Sequence, residues 1–142
     1  MTMPQVYFGD VCIGAPLPES IKRPTRTMLF RFSAVTWNAH RIHYDEAYAR
    51  TEGHPDVLVQ ATMHGAFLLE MATAFAGPAG RVGALTYSNR GKAFPGDVLT
   101  SGGTVTGLYP DQRAVDCEIW ERRQDGGLCA NGTARIFLPN RP

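Results

Sequence analysis

One segment limits the folds open to this 142-residue chain more than any other. Residues 61–76 read ATMHGAFLLEMATAFA, and only Thr62, His64, Glu70 and Thr73 interrupt the apolar run. Thr62 is expected to cap the start of a helix, and Gly77-Pro78 to end it. A helix that is apolar on most faces is buried. Because a chain of this length has few other helices to bury it, strands must wrap it.

The rest of the sequence supplies those strands. Strands are predicted at 82–89, 98–108, 114–122 and 128–138, with turns between them. In the third strand, the apolar side chains of Val115, Cys117 and Ile119 alternate with Asp116, Glu118 and Trp120, as expected for a sheet with one buried face. The order of one buried helix followed by antiparallel strands predicts an α+β fold in a single domain over residues 1–142.

The N-terminal third gives a less regular pattern. Residues 1–24 carry four prolines and predict an irregular entry with short extended pieces. Residues 27–35 (TMLFRFSAV) are rich in apolar and β-favouring residues and predict a strand. Residues 45–50 (DEAYAR) predict a short helix with Asp45 as its N-cap.

Composition excludes several functional classes. The formal net charge is +1, so a nucleic-acid partner is not expected. Scattered arginines such as Arg23, Arg26 and Arg31 favour a solvated or anion-contacting surface over a duplex-binding stripe. The three cysteines are odd in number and widely spaced, which argues against a disulfide framework or a metal site and favours a reducing cytoplasm. The N-terminus shows no signal-peptide pattern, and no apolar run is long enough for a bilayer, so no membrane association is expected.

The strongest chemical feature is TWNAHRIHYD, residues 36–45, which holds two of the four histidines. Histidine is the side chain best suited to moving protons near neutral pH. We therefore expect any catalysis to centre on this segment. His54, in the sequence GHPD, is expected in a turn.

This segment, together with the order of elements, resembles the MaoC-like hydratase and dehydratase family, which has the hotdog fold: a long helix wrapped by a curved antiparallel sheet. The resemblance covers residues 27–142. Ile42, His43 and Asp45 match the second half of the family motif, whereas Asn38 stands where the family has aspartate. With RFSAVTWNAHRIHYD, the chain is most similar to the branch of type 2 hydroxyacyl-thioester dehydratases and mesaconyl- and itaconyl-CoA hydratases.

The resemblance implies roles for residues of the histidine segment. His43 is expected to be the catalytic base or acid, and Asn38 to hold the reacting water, because an amide can only hydrogen-bond. Asn38 could instead form a turn through its side chain. His40 and Arg41 are candidates for substrate contact; the alternatives are loop capping or a subunit contact for His40, and a solvated side chain or salt bridge for Arg41.

The start of the buried helix is expected to supply the oxyanion donor, because free N–H groups and the helix dipole converge there. Relatives place His-Gly at about this position, where this chain has Gln60-Ala61. Gln60, Ala61, His64 and Gly65 are therefore candidates for lining the site. His64 could equally be packed and paired in the core.

The predicted function is hydration or dehydration of an acyl-thioester, with acyl-CoA as substrate and partner, no metal, and no cofactor apart from the CoA of the substrate. A homodimer is expected, or a heteromer with a second hotdog chain. One alternative is thioester hydrolysis, for which Glu70 is the one acidic residue on the helix. A second alternative is a non-catalytic subunit of a hotdog complex.

Overall fold

The computed structural model of the protein describes residues 4–142. Within that range, five strands form one antiparallel sheet in the order β1-β3-β4-β5-β2. The strands are β1 Pro16–Lys22, β2 Arg81–Asn89, β3 Leu99–Tyr109, β4 Ala114–Arg123 and β5 Leu128–Phe137. The helices are α1 Arg26–Thr36, α2 Glu46–Thr51 and α3 Ala61–Ala76, with 3-10 turns at Phe8–Asp10, Arg41–His43 and Pro110–Gln112.

Helix α3 is the centre of the core, and its predicted bounds are confirmed. Its inner face packs on the sheet through Leu68, Met71 and Phe75, which meet Val115, Ile119 and Ile136 from the strands. The helix ends at Gly77, whose φ of 72° is the conformation that glycine tolerates best. The prediction that Thr62 caps the helix is wrong, because Gln60 is the N-cap and Thr62 lies inside the first turn.

The four predicted C-terminal strands are confirmed, with ends that differ by about one residue. The predicted alternation in β4 is also confirmed, since Val115, Cys117 and Ile119 are all buried. The sheet and α3 together form the α+β hotdog fold that the sequence predicts. No helix among residues 4–142 has the length and apolarity needed to cross a membrane.

The predicted strand at residues 27–35 is wrong, because this segment is helix α1. Thr25 caps the helix by accepting a hydrogen bond from the Met28 N–H at 3.2 Å. Leu29 and Ser33 are its buried residues, and their spacing of four is helical rather than alternating. Burial of this one face against the core therefore outweighs the β-preference of the individual side chains.

The N-terminal region is more regular than its prolines suggest. Strand β1 lies at the edge of the sheet and pairs with β3, and its register shifts between Leu17 and Ser20, around Pro18. An edge strand tolerates proline because one row of its backbone groups has no partner strand.

Candidate active site

The candidate site is built on the long crossover between β1 and α3. Helix α1 and the 3-10 turn Arg41–His43 bring the histidine segment into this crossover, and α2 follows it. Asp45 caps α2 by accepting a hydrogen bond from the Tyr48 N–H at 3.0 Å, as predicted. The loop is thus held at both ends by helices.

His43 is buried, with 6% of its surface exposed. Its Nδ1 lies 2.6 Å from the carbonyl oxygen of Leu58. Because a carbonyl only accepts, Nδ1 carries the hydrogen and the neutral ring keeps its lone pair on Nε2. Burial lowers the pKa of His43 below its ordinary value, and the Leu58 carbonyl opposes that shift. His43 is therefore held neutral, with Nε2 as a base.

Asn38 is half-buried and shapes the loop. Its Oδ1 accepts a hydrogen bond from the His40 N–H at 3.3 Å, which is a turn-forming contact. Asn38 also lines a cavity of about 280 Å³ with Phe30, Ser33, Ala34, Trp37, Ala39 and Tyr44. Within residues 4–142, no hydrogen bond joins Asn38 to His43, and the side-chain nitrogen of Asn38 makes none, so this nitrogen is available as a donor.

His40 supports the same turn from the other side. Its Nδ1 accepts from the Ile42 N–H at 3.3 Å, and its ring centroid lies 6.0 Å from that of His43. His40 is exposed. The structure therefore gives His40 a loop-capping contact, one of the alternatives the sequence left open.

Arg41 forms a local ion pair. Its Nη2 lies 2.6 Å from Oδ2 of Asp45, and its guanidinium stacks over the Tyr48 ring at 4.6 Å from the centroid. The helix-capping contact with Tyr48, reinforced by Arg41, lowers the pKa of Asp45. Arg41 thus braces the histidine segment against α2 through the same carboxylate that caps the helix.

Gln60 ties α3 to α1. Its Nε2 donates to the Leu29 carbonyl at 2.7 Å and to Ser33 Oγ at 3.0 Å. Gln60 is fully buried, and its Oε1 is the one buried side-chain oxygen or nitrogen without a partner among the described residues. Because the Leu29 carbonyl only accepts, the amide orientation is fixed. The Gln60 side chain therefore points toward α1 and not toward the first turn of α3.

That orientation leaves the first N–H groups of α3 available. The Gln60 side chain makes no capping bond, whereas Met63 and His64 donate their N–H groups to the Gln60 carbonyl. The N–H groups of Ala61 and Thr62 make no hydrogen bond within residues 4–142. Ala61 has negative φ, so the change from glycine leaves the donor in place. The start of α3 can therefore hold a developing negative charge.

His64 lies in the core and is paired there. Its Nδ1 hydrogen-bonds Oε1 of Glu121 on β4, and Ser101 Oγ on β3 donates to Oε2 of the same carboxylate at 3.2 Å. His64 is 2% exposed and Glu121 0%. Of the two readings that the sequence left equal for His64, these contacts support the packed and paired one.

Glu121 is not among the residues that the motifs of the sequence single out, although its position in β4 carries a signal. It continues the inward face of β4 after Val115, Cys117 and Ile119, two residues at a time. A carboxylate on an inward-facing position requires a buried partner.

The sulfur of Cys129 completes a set of three potential metal ligands with His64 and Glu121, whose donor atoms lie within 4.8 Å of one another. His64 and Glu121, however, are hydrogen-bonded to each other. Burial also raises the pKa of the Cys129 thiol to about 11, which favours the protonated form. Packing and hydrogen bonding account for this set without an ion.

Gly65 permits the close approach of α3 to β2. A Cβ at this position would lie 2.3 Å from Cζ of Tyr87. Tyr87 in turn donates to the Ala61 carbonyl at 3.3 Å. Gly65 therefore has a packing contact that fixes the first turn of α3 against the sheet.

Comparison with known proteins identifies a family for this chain. The family described as hydroxyacyl-thioester dehydratase type 2 matches residues 16–95. Mesaconyl-C(4)-CoA hydratase from Chloroflexus aurantiacus is 46% identical over 61 residues, which are 40% of this chain and 22% of that protein. The chain thus spans about a fifth of the length of this curated relative.

Solved structures share the fold. The (R)-hydratase from A. caviae involved in PHA biosynthesis superposes with a TM-score of 0.83 at 22% identity, covering 91% of this chain and 98% of that one. R-hydratase PhaJ1 from Pseudomonas aeruginosa superposes with a TM-score of 0.87 at 22% identity, covering 96% of this chain and 88% of that one. A chain of the ChsH1-ChsH2 complex from Mycobacterium tuberculosis superposes with a TM-score of 0.81 at 20% identity, covering 89% of this chain and 98% of that one.

The matched family covers more than half of the chain and includes the whole crossover with His43 and the start of α3. The chain belongs to the hydroxyacyl-thioester dehydratase type 2 family.

Proposed function

We propose that this protein adds water to, or removes it from, the α,β double bond of an acyl-CoA thioester. The observation that carries the proposal is His43, buried and neutral, with Nδ1 fixed on Leu58 and Nε2 left as the base. The similarity to mesaconyl-C(4)-CoA hydratase supports the same chemistry.

In the hydration direction, Nε2 of His43 takes a proton from water while the water oxygen bonds to the β-carbon. The π electrons move toward the thioester, and negative charge develops on its oxygen. The Ala61 and Thr62 N–H groups at the start of α3 donate to that oxygen. The α-carbon then receives a proton from the His43 imidazolium, which restores the neutral base.

Asn38 contributes by holding the water. An aspartate at this position could take up a proton, whereas the amide of Asn38 can only donate and accept hydrogen bonds. Its Oδ1 already accepts from the His40 N–H, which leaves its Nδ2 for the water oxygen. A single histidine therefore carries the proton in both halves of the reaction.

The thioesterase alternative has no structural support. Glu70, its candidate base, lies on the exposed side of α3 and is paired with Lys22 at 2.5 Å. A carboxylate neutralised in this way is poorly placed to activate water or to attack a thioester.

We also propose that the protein acts in the cytoplasm as a homodimer, or as a heteromer with a second hotdog chain. Strand β2 is an edge of the sheet, and Phe30, Val35 and Leu69 are exposed apolar side chains that a partner would cover. A structural neighbour is a complex of two chains, ChsH1 and ChsH2. The reaction as written requires no metal and no cofactor besides the CoA of its substrate.

Enoyl-thioester absorbance tests the function directly. Purified protein is incubated with short, branched and dicarboxylic enoyl-CoA esters, and thiol release is followed in parallel. Loss of enoyl absorbance without thiol release is the expected result. Thiol release would indicate the thioesterase instead, and no change with any ester, alone or after co-purification with a second hotdog chain, would contradict the proposal.

A further inference from the structure

The Gln60 side chain joins the start of α3 to helix α1 at the cost of one hydrogen bond. Its Nε2 donates to the Leu29 carbonyl at 2.7 Å and to Ser33 Oγ at 3.0 Å, whereas its Oε1 is buried without a partner among the described residues. Rotating the amide would set Oε1 against the Leu29 carbonyl, and two acceptors cannot bond. A buried polar atom left unpaired in this way points to a role other than packing.

Ser33 is also the residue on which the turn after α1 closes. Its carbonyl accepts hydrogen bonds from the N–H groups of Trp37 and Asn38, the second at 3.0 Å. Trp37 has a φ of 56°, the left-handed conformation that glycine or asparagine usually supplies at a helix end. The position of Asn38 therefore follows from the position of Ser33 on α1.

The same series of hydrogen bonds continues from Asn38 to His43. Asn38 Oδ1 accepts from the His40 N–H at 3.3 Å, and the His40 carbonyl accepts from the His43 N–H at 3.2 Å. Nδ1 of His43 bonds the Leu58 carbonyl at 2.6 Å, two residues before Gln60 in the chain. The contacts thus form a closed ring, in which the Gln60 side chain is the connection to α1.

We propose that Gln60 is a positioning residue for the reaction: through Ser33, its amide sets α1 against the start of α3 and so places Asn38 where the reacting water binds. Gln60 acts through Asn38 rather than on the substrate, because its side-chain nitrogen is bonded to α1 and its side-chain oxygen is buried. This inference rests on the proposed function and names a further residue on which the same site depends.

The first test separates position from stability. Gln60→Met keeps the length of the side chain, and Ser33→Ala removes the hydroxyl that Gln60 contacts. Removing both partners of a buried hydrogen bond is close to neutral for folding, so the double variant Ser33→Ala/Gln60→Met has a urea midpoint close to that of the wild type. Its kcat per folded molecule nevertheless falls about tenfold, with KM within about threefold, because a displaced group slows the chemical step.

Met71→Ala is the control for this test. It leaves a cavity in α3 away from the Gln60 contact, so it lowers the urea midpoint and leaves kcat per folded molecule unchanged. An unchanged kcat in Ser33→Ala/Gln60→Met, or an equal fall in Met71→Ala, would overturn the proposal.

The second test asks whether Gln60 acts through Asn38. Gln60→Met is made in the wild type and in Asn38→Leu, and kcat is measured for all four proteins. The loss caused by Gln60→Met shrinks from about tenfold in the wild type to less than about twofold in Asn38→Leu, where there is no amide left to place. Equal losses in the two backgrounds would contradict the proposal.

Hydrogen exchange gives a third readout, which needs no turnover. The Asn38 N–H bonds the Ser33 carbonyl and the His40 N–H bonds Asn38 Oδ1. In Gln60→Met these two amides exchange at least about tenfold faster, whereas the amide of Cys117 in β4 stays within about threefold. Equal acceleration at Cys117, which indicates a general loss of stability, or unchanged exchange at Asn38 and His40 would contradict the proposal.

The same readout separates failure of this inference from failure of the proposed function. If no enoyl ester reacts while exchange at Asn38 and His40 depends on Gln60, the proposed function fails and the structural connection stands. If enoyl esters react while Gln60→Met changes neither kcat nor exchange, the positioning role of Gln60 fails alone.

Discussion

The two buried histidines, His43 and His64, have opposite surroundings. The Nδ1 of His43 faces the uncharged carbonyl of Leu58 in a loop at the edge of the core, whereas that of His64 faces the Glu121 carboxylate inside it. The first arrangement fixes a tautomer and leaves a neutral base. The second buries two ionisable groups that satisfy each other, with Ser101 as a third partner. The partner of Nδ1, rather than burial, separates the histidine to which we assign the proton transfer from the one that is paired in the core.

The largest expected effect is loss of activity at His43. His43→Ala removes the proton carrier, so kcat/KM falls about 10²- to 10⁴-fold. His40→Ala, which removes the neighbouring imidazole from the same loop, is the matched control and loses no more than about tenfold. Steady-state kinetics with an enoyl-CoA ester measure both, and circular dichroism checks that both variants are folded. Equal losses in the two variants would remove the distinction between the two imidazoles.

At His64 and Glu121 the expected effect is on stability. Glu121→Leu or His64→Leu leaves one buried polar partner alone and lowers the free energy of unfolding by about 3–5 kcal/mol. The double variant His64→Leu/Glu121→Leu removes both partners and recovers much of that loss. Urea denaturation measures all three, with kcat/KM per folded molecule recorded beside it. Single-variant losses below about 1 kcal/mol, or additive losses, would count against a coupled structural pair.

The pH dependence of kcat/KM tests the role that we assign to His43. Because burial lowers the pKa of His43, its base form persists at pH values below the ordinary histidine pKa. The kcat/KM should stay flat through about pH 6.5 and fall tenfold per unit only below the lowered pKa. The free energy of unfolding has the same dependence on pH. In the unfolded chain His43 takes up a proton at about pH 6.5, whereas in the native state it does so only at the lowered pKa. The stability that neutral His43 contributes is therefore lost as pH falls from about 6.5 through the lowered pKa. A midpoint above pH 6.5 in the rate profile would refute this assignment.

The smallest expected effect is at Asn38. Asn38→Asp keeps an acceptor for the His40 N–H and removes the amide donor to water, so kcat/KM falls by no more than about tenfold. Asn38→Leu removes both groups and serves as the comparison. A tenfold gain in the kcat/KM of Asn38→Asp would show instead that two titrating residues serve the reaction better than one histidine.

The sequence predicted what depends on local pattern. The apolar run of α3 and the alternation of β4 fix both elements, and Asp45 caps α2 because its side chain reaches a neighbouring N–H. The sequence of α1 predicts a strand because β-favouring residues are numerous in it. The helical signal is weaker, since only Leu29 and Ser33 form the buried face. That face exists only once Gln60 and the core are in place.

The candidate site, like the fold, is predictable only where it depends on a local motif. His43 follows from its motif, but its tautomer depends on Leu58, fifteen residues further along the chain. The pairing of His64 depends on Glu121, which lies 57 residues away and meets it only when β4 packs on α3. The ion pair of Lys22 with Glu70 likewise joins residues 48 apart in the chain. Long-range packing decides which titratable residue is free, and one sequence does not contain that information in readable form.

The most direct measurement is the rate of enoyl-CoA hydration by wild-type protein and by His43→Ala under identical conditions. Consumption of the enoyl thioester by wild-type protein, with a loss of at least about 100-fold in the variant, is the predicted result. Turnover by a folded His43→Ala variant at the wild-type rate would contradict the central claim that His43 carries the proton.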